Sequence, residues 1–517
     1  MPKIIIREYD KTKANVGEYQ NFSVVVPGFV SDTCDQNVFD ENDIFECSSQ
    51  KTFVEKIGKV PCGEGRVIEA VAPECESDPA TYTDNVAPIW NEAKKRGNLY
   101  KAKSWGASET PVNGFLKCAE NTGNAPTEGK KYFKGVFEPV KEDEELDTQT
   151  QYVVILQDYR GRDSASLQHF GNQIAYELLG LGYSVLYKKL NQVSDLGTTS
   201  FWEPLRDKAT YDFRYVVTGM LKDAFDANNR IVELVDFVNA DADNKTYNEL
   251  GRGDAIALID IDPETYTDET SVNAVTAIRN KVNSMTCNSK YAAYFAPYVV
   301  YQMKHSEIAD FGENCIFPGY FHYLACAAKA FENYNEWYAI AGYNRGVSRY
   351  NVISTGCKLG EAAIDVLEPR FKRNLNGIKA AVNLIVKIKG EYFLWGNRTA
   401  CELGKEDEDD WDLRASHFLN IRQLCTTIKK QVYVSCRRFT FDPNSEVLWI
   451  NFKNSITPTL EKMKADQGIS DYKFIKVATN QKAKLCAKIR IIPIEAVEDF
   501  DISLTLEDSL DGIIVGE

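Results

Sequence analysis

Residues 151–190 constrain the fold most strongly. An apolar, β-branched run over 152–156 leads into a helical period from 164 to 181, carried by Leu167, Phe170, Ile174, Leu178 and Leu179. Gly182 stops that period, and 183–187 is apolar again. Strand, helix, strand at this spacing reads as a βαβ unit, which demands a parallel pair joined by a right-handed crossover. Apolar strands at 215–217, 255–261 and 292–295 extend it, separated by helical patterns near 221–238 and 269–284. Such strands alternating with helices predict a doubly wound, mostly parallel sheet covered on both faces.

Ahead of this unit, 22–26 alternates up to Pro27-Gly28, a strand and its turn. Ser49 opens a helix through Phe53, Val54 and Ile57 that closes at Gly58. Residues 86–96 carry Ile89, Trp90 and Ala93 at helical spacing, and Leu99-Tyr100 begins a strand. Residues 111–150 are polar and turn-rich, with the acidic run 141–147 as a solvated connection. From about 380 the texture becomes α+β: strands at 382–388 and 392–395, an acidic loop at 405–412, a helix at 416–429, a strand at 432–441, a helix at 446–464, and strands at 474–477 and 485–493. No internal repeat is evident. A chain of 517 residues exceeds one core, which stops growing at roughly 250–300 residues. The expectation is a multidomain α/β plus α+β protein divided at 1–20, 21–150, 151–375, 376–505 and 506–517.

Composition narrows the function. With 60 Lys+Arg against 75 Asp+Glu the net charge is −15, so no basic stripe is available for phosphate contacts and nucleic acid is not an expected partner. The longest apolar stretch, 291–303, is broken by Pro297 and is too short for a membrane helix; the amino-terminal apolar run is too short for a signal peptide. A cytoplasmic origin without membrane insertion is expected. Thirteen cysteines include no C-x-x-C pair. Cys326, Cys425, Cys436 and Cys486 sit in apolar patterns and read as reduced core residues, with neither a disulfide framework nor a zinc site.

Parallel sheets bind ligands at the carboxyl ends of their strands, and three acids fall there: Asp158, Asp260 and Asp262. Closely spaced carboxylates can hold Mg²⁺, which defines one functional reading, a cytoplasmic Mg²⁺-dependent phosphoryl-transfer or hydrolytic enzyme. The simpler reading makes them solvated strand ends and turn caps. Gly180-Leu181-Gly182 follows a helix and reads as its C-cap. Walker A, H-E-x-x-H and G-x-S-x-G are all absent, and His169, His305, His322 and His417 form no motif. No catalytic residue, cofactor or metal is therefore assigned.

The two ends carry a different signal. Ile4, Ile5 and Ile6, and Ile513, Ile514 and Val515, are short apolar runs flanked by charge or glycine. Neither buries itself, whereas adding to a sheet edge satisfies backbone and side chains together. Two placements are open: each end docks on its own domain, or each pairs with a neighbouring copy, a head-to-tail contact that grows a ring or helix.

The carboxyl-terminal third resembles the contractile tail sheath proteins of phages and phage-derived injection systems. The resemblance is carried in order by Asn383, Trp395-Gly396-Asn397-Arg398-Thr399, Asn420-Ile421-Arg422, Phe441-Asp442-Pro443-Asn444, Leu448-Trp449 and Gly468, over roughly 375–505. Upstream, residues 24–30, the 53–58 helix and the aromatic-proline segment 291–298 are similar to the family more loosely. Asn397 replaces a small residue, residues 30–85 are rich in cysteine and acid, and a Pro-Pro-Ser-Gly segment is reduced to Phe317-Pro318-Gly319.

The resemblance implies a structural protein, not an enzyme: a homo-oligomeric helical sheath around a tail tube protein, bounded by baseplate and tail terminator proteins, assembled in the host cytoplasm and carried in the virion. It implies a subtilisin-like α/β domain, a carboxyl-terminal polymerisation domain, and strand exchange at Ile4, Ile5, Ile6, Ile513, Ile514 and Val515. Asn383, Trp395, Gly396, Arg398, Thr399, Asn420, Arg422, Pro443 and Trp449 become fold residues, and a helix of the last domain, expected at 416–430, faces the tube.

Overall fold

The computed structural model describes residues 22–28, 36–57, 67–71, 99–108, 116–118, 131–139, 152–158, 170–190, 193–218, 230–240, 251–261, 266, 271–285, 287–302, 314–368, 377–403, 413–478 and 483–496. In chain order its strands are β1 (Ser23–Gly28), β2 (Ile44–Cys47), β3 (Val67–Val71), β4 (Leu99–Ser108), β5 (Leu116–Cys118), β6 (Lys131–Pro139), β7 (Tyr152–Asp158), β8 (Ser184–Lys189), β9 (Tyr215–Val217), β10 (Ile256–Asp260), β11 (Ala292–Ala296), β12 (Val299–Gln302), β13 (Asn314–Phe317), β14 (Asn351–Thr355), β15 (Val382–Ile388), β16 (Glu391–Trp395), β17 (Ile469–Val477) and β18 (Cys486–Pro493). The principal helices are α1 (Gln50–Ile57), α2 (Phe170–Gly180), α3 (Arg230–Val238), α4 (Ser271–Ser284), α5 (Gly319–Ala330), α6 (Glu361–Leu367), α7 (Leu419–Arg438) and α8 (Glu446–Ala465).

One sheet runs β16-β15-β11-β10-β9-β1-β8-β2. Its six inner strands are parallel, and the edge strands β2 and β16 are antiparallel. Successive residues of a strand face opposite sides, and both sides here are apolar. Val25, Leu186, Val216, Ala257 and Tyr294 point into a core shared with α3, α4 and α6; Val24, Val185, Tyr215, Leu258 and Phe295 point into one shared with α2 and α5. This is the covered, mainly parallel sheet that the apolar strands predict. A third cluster joins α7, α8, β17, β18 and Trp337. The big sheet draws strands from three of the five segments into which the sequence was divided.

Several expectations fail locally. The 152–156 strand does not pair with 183–187: β7 pairs antiparallel with β3 and β4 and closes a barrel, β3-β5-β6-β4-β7, while β1 lies beside β8. An apolar run marks a strand but not its partner, which is chosen by contacts remote in sequence. The stretch 111–150 is more than a connection, since β5 and β6 belong to that barrel. The expected strand at 432–441 is the second half of α7. Ile421, Leu424, Ile428 and Val432 continue one helical stripe into the third cluster, and no Gly or Pro interrupts 419–438. Packing of that stripe overrides the strand preference of Val432 and Val434. Cys436 consequently points outward and is exposed, Cys425 and Cys486 are half-buried, and Cys326 alone of that set is buried. The helix expected at 86–96 and Asp262 lie outside the described residues.

Candidate functional site

The residues that carry the resemblance converge on one buried junction between the large sheet and α7. After β16 the chain turns at Gly396, whose φ of +148° favours glycine. A Cβ built there would sit 2.8 Å from the Asn383 Cα on the adjacent strand β15, so the close approach itself requires glycine. Asn383 holds the turn: its Oδ1 accepts from the Arg398 backbone N–H at 2.8 Å, and its Nδ2 donates to the carbonyls of Arg398 at 2.9 Å and Tyr294 at 3.0 Å. Three strands' backbones are thereby tied through one side chain. Thr399 continues the attachment, donating from its hydroxyl to Ser416 O at 2.7 Å and from its amide to His417 O at 2.8 Å.

Asn397, the departure from the family pattern, is buried and fastens α7. Its backbone carbonyl accepts from Leu419 N at 3.0 Å, its Oδ1 accepts from Asn420 N at 3.0 Å, and its Nδ2 donates to Asn420 Oδ1 at 2.8 Å. Asn420 Nδ2 donates onward to Trp337 O at 3.0 Å. These contacts satisfy amides that open a helix without an intrahelical partner. Arg398 is fully buried, 3.5 Å from the Glu368 carboxylate, with its guanidinium 4.8 Å from the Phe418 ring centroid.

Helix α7 then crosses the amino-terminal ends of the parallel strands. Arg422 lies over Tyr291, just before β11. Lys429 Nζ donates to Gly253 O at 2.9 Å and to the Tyr291 hydroxyl at 2.7 Å. Lys430 Nζ donates to Phe213 O at 2.8 Å and pairs with Asp212; burial, the largest influence on it, holds its ammonium below the usual lysine range. Arg214, just before β9, pairs with Glu336 at 2.9 Å and donates to Thr427 Oγ1 at 3.0 Å. Buried charges without partners are costly, so this set orients α7. The expectation that 416–430 faces a tube is overturned: Leu419 to Leu424, Thr426, Thr427, Ile428 and Lys430 are all buried within the chain.

The catalytic candidates are not brought together. Asp158 ends β7, a barrel strand outside the parallel sheet. Asp260 does end β10, but its Oδ1 accepts from Gly319 N at 2.7 Å and so caps the buried helix α5. A Cβ on Gly319 would approach that oxygen and Pro297 O to 3.0 Å each. Phe317-Pro318-Gly319 is therefore the tight entry of α5 under the carboxyl end of the sheet. His322, inside α5, is pushed down to about 4 by burial, and its Nδ1 lies 2.6 Å from the Tyr301 hydroxyl. His417 Nδ1 accepts from Arg414 N at 2.8 Å, and His169 and His305 lie outside the described residues. Among the described residues, no three His, Cys, Asp or Glu side chains are placed to hold a metal ion. No described helix is long and apolar enough to cross a membrane.

The remaining motif residues lie beyond the junction. Pro443 is exposed in the turn between α7 and α8, beside Phe441 with φ +76°. Trp449 on α8 is half-buried against Phe452 and Phe474. Strands β17 and β18 form a two-stranded antiparallel sheet, and among the described residues neither pairs with any other strand. Val447 and Ile450 on α8, and Ile492 and Ile494 at the end of the hairpin, are exposed. Ile4, Ile5, Ile6, Ile513, Ile514 and Val515 lie outside the described residues. Arg214, Glu336, Glu368 and Lys430 were missed at the level of sequence. The one signal for them is a charge set among apolar neighbours, as in Phe213-Arg214-Tyr215.

No protein-family model matches the chain, and no curated protein matches it. Solved structures do. A chain of the anti-feeding prophage (AFP) baseplate is 13% identical with a TM-score of 0.45, covering 68% of this chain and 84% of that one. A chain of the sheath complex of an extracellular contractile injection system, PVC, in the contracted state is 12% identical with a TM-score of 0.44, covering 68% and 82%. A chain of the AFP helical sheath in the contracted state is 14% identical with a TM-score of 0.44, covering 65% and 82%.

Proposed function

We propose that this chain is the structural subunit of a contractile tail sheath. It polymerises helically around an inner tail tube between baseplate and terminator, and contracts to drive the tube through a cell envelope. The observation that carries this reading is the β17–β18 sheet, nine and eight residues long and open on both edges. An isolated two-stranded sheet is marginal in water and offers a template for added strands. The apolar ends Ile4–Ile6 and Ile513–Val515 are strands of the kind that would add to it, supplied by neighbouring copies. The collinear match over 375–505 supports the same reading, because most of its residues fall on the buried junction that sets the hairpin domain against the sheet.

In this mechanism the subunits rotate and slide as near-rigid bodies, with the arms as hinges. The junction keeps α7 and the hairpin domain rigid on the α/β body, and contraction is driven by surface buried between subunits. The assembly belongs to the virion or injection particle and forms in the host cytoplasm. Electron microscopy of purified protein tests the proposal. Hollow helical tubes are expected from the full chain, and folded monomers without tubes after deletion of residues 1–8 or 510–517. Tubes that survive both deletions would remove the arm assignment.

A further inference from the structure

The outer face of the β17–β18 sheet is basic. In the ladder Lys473 stands opposite Arg490, and Ile475 stands opposite Lys488. Paired residues share a face, and the other face carries Tyr472, Phe474, Ile489 and Ile491 into the α8 cluster. Lys473, Lys488 and Arg490 are exposed. By contrast, Lys476 is engaged with Glu446 and Lys464 with Asp471. Like charges directly across a ladder destabilise it, and here they do so in a chain whose net charge is −15. The described chain ends at residue 496, directly after β18. The following segment, 497–517, has seven acids and no Lys or Arg. Within it 500–507 alternates strictly: Phe500, Ile502, Leu504 and Leu506 take one parity, while Asp499, Asp501 and Glu507 take the other.

We infer that the basic face of the β17–β18 sheet receives the acidic segment 497–517 of a neighbouring copy, with 500–507 added as a further strand at the open edge. Period-two geometry puts Phe500, Ile502, Leu504 and Leu506 on the α8 side and Asp499, Asp501 and Glu507 on the side of Lys473, Lys488 and Arg490. Charge thus fixes the register, because a slip of one residue would turn the acids onto the apolar side. The inference rests on the proposed strand exchange and deepens it: arm docking is sorted by charge and weakened by salt.

Photo-cross-linking on the full chain tests this. Benzoylphenylalanine replaces Ile475, and ¹⁴N- and ¹⁵N-labelled subunits are mixed before irradiation. Mixed-isotope cross-links from position 475 to 497–517 are expected. Their yield should fall about tenfold in Lys473→Glu/Lys488→Glu/Arg490→Glu, and recover when Glu498→Lys/Asp499→Lys/Asp501→Lys is added to the same chain. The recovery separates charge matching from a misfolded hairpin. Absent cross-links, cross-links to other segments, single-isotope cross-links or no recovery each overturn the inference. Tubes formed without these cross-links sink this inference alone, whereas no tubes from any preparation sinks the sheath reading while the isotope pattern still decides where the segment docks.

Discussion

Arg214 and Glu336 meet at 2.9 Å with side chains 0% and 3% exposed. Thr427 of α7 bridges them, accepting from the Arg214 guanidinium and donating to the Glu336 carboxylate. The pair costs desolvation to bury, so its weight lies in what happens when one member is removed. Glu336→Ala is expected to lower stability by about 3–5 kcal/mol, because it strands a guanidinium in an apolar site. Arg214→Met combined with Glu336→Leu should recover most of that loss. Urea unfolding midpoints measure both, and a double variant no better than Glu336→Ala would contradict the account.

At the sheet junction, Asn383→Leu keeps much of the side-chain volume while leaving the Arg398 N–H and two carbonyls without partners. A loss of about 2–4 kcal/mol is expected. Gly396→Ala should also destabilise, since the added methyl meets the Asn383 Cα at 2.8 Å. That contact is with backbone, so trimming Asn383 to Ala should give no relief. A thermal-melt comparison in which Asn383→Ala rescues Gly396→Ala would disprove the close-approach argument.

Much of this architecture is readable from residues alone, and the failures share a cause. Strands such as 255–261 and 292–295 are legible because burial on both faces leaves a long apolar run. The helix at 269–284 is legible because one face of it is not buried. Pairing is not legible: β7 reads like the opening strand of a βαβ unit, yet it closes a barrel with β3 and β4. Residues 432–438 read as a strand because their β-branched alternation is local, whereas the stripe that keeps them helical depends on α8 and the hairpin. The junction was visible as a motif, Trp395 to Thr399 with Asn383 and Asn420, but its ionic partners Glu368 and Glu336 sit in segments with no pattern of their own.

Asp260 separates the cap from the metal reading. If it caps α5 through Gly319 N, Asp260→Ala should cost about 1 kcal/mol and Asp260→Asn much less, since asparagine also caps. Millimolar Mg²⁺ should leave the melting temperature of the native chain and of both variants unshifted. A Mg²⁺-dependent rise confined to the native chain would revive the enzymatic alternative.

Glu177 gives the fold a pH dependence. It lies on α2, 1% exposed, and accepts from the Tyr350 hydroxyl at 3.1 Å. Burial raises its carboxyl from 4.5 to about 7, against the smaller opposing effect of that hydrogen bond. The charges next to this contact are Arg349, which adjoins Tyr350, and Glu332, which pairs with Arg349. Because the folded value exceeds the unfolded one, protonation favours the folded state. Below about pH 4.5 both states hold the proton; as pH rises toward 7 the unfolded state releases it first, and stability falls by about 3 kcal/mol in total. Above 7 the loss is complete and flat. Glu177→Gln stays neutral throughout, so it should match the native chain near pH 4 and exceed it near pH 8. Unfolding midpoints of the two proteins across that range measure the difference, and a difference that does not change with pH would rule out Glu177 as its source.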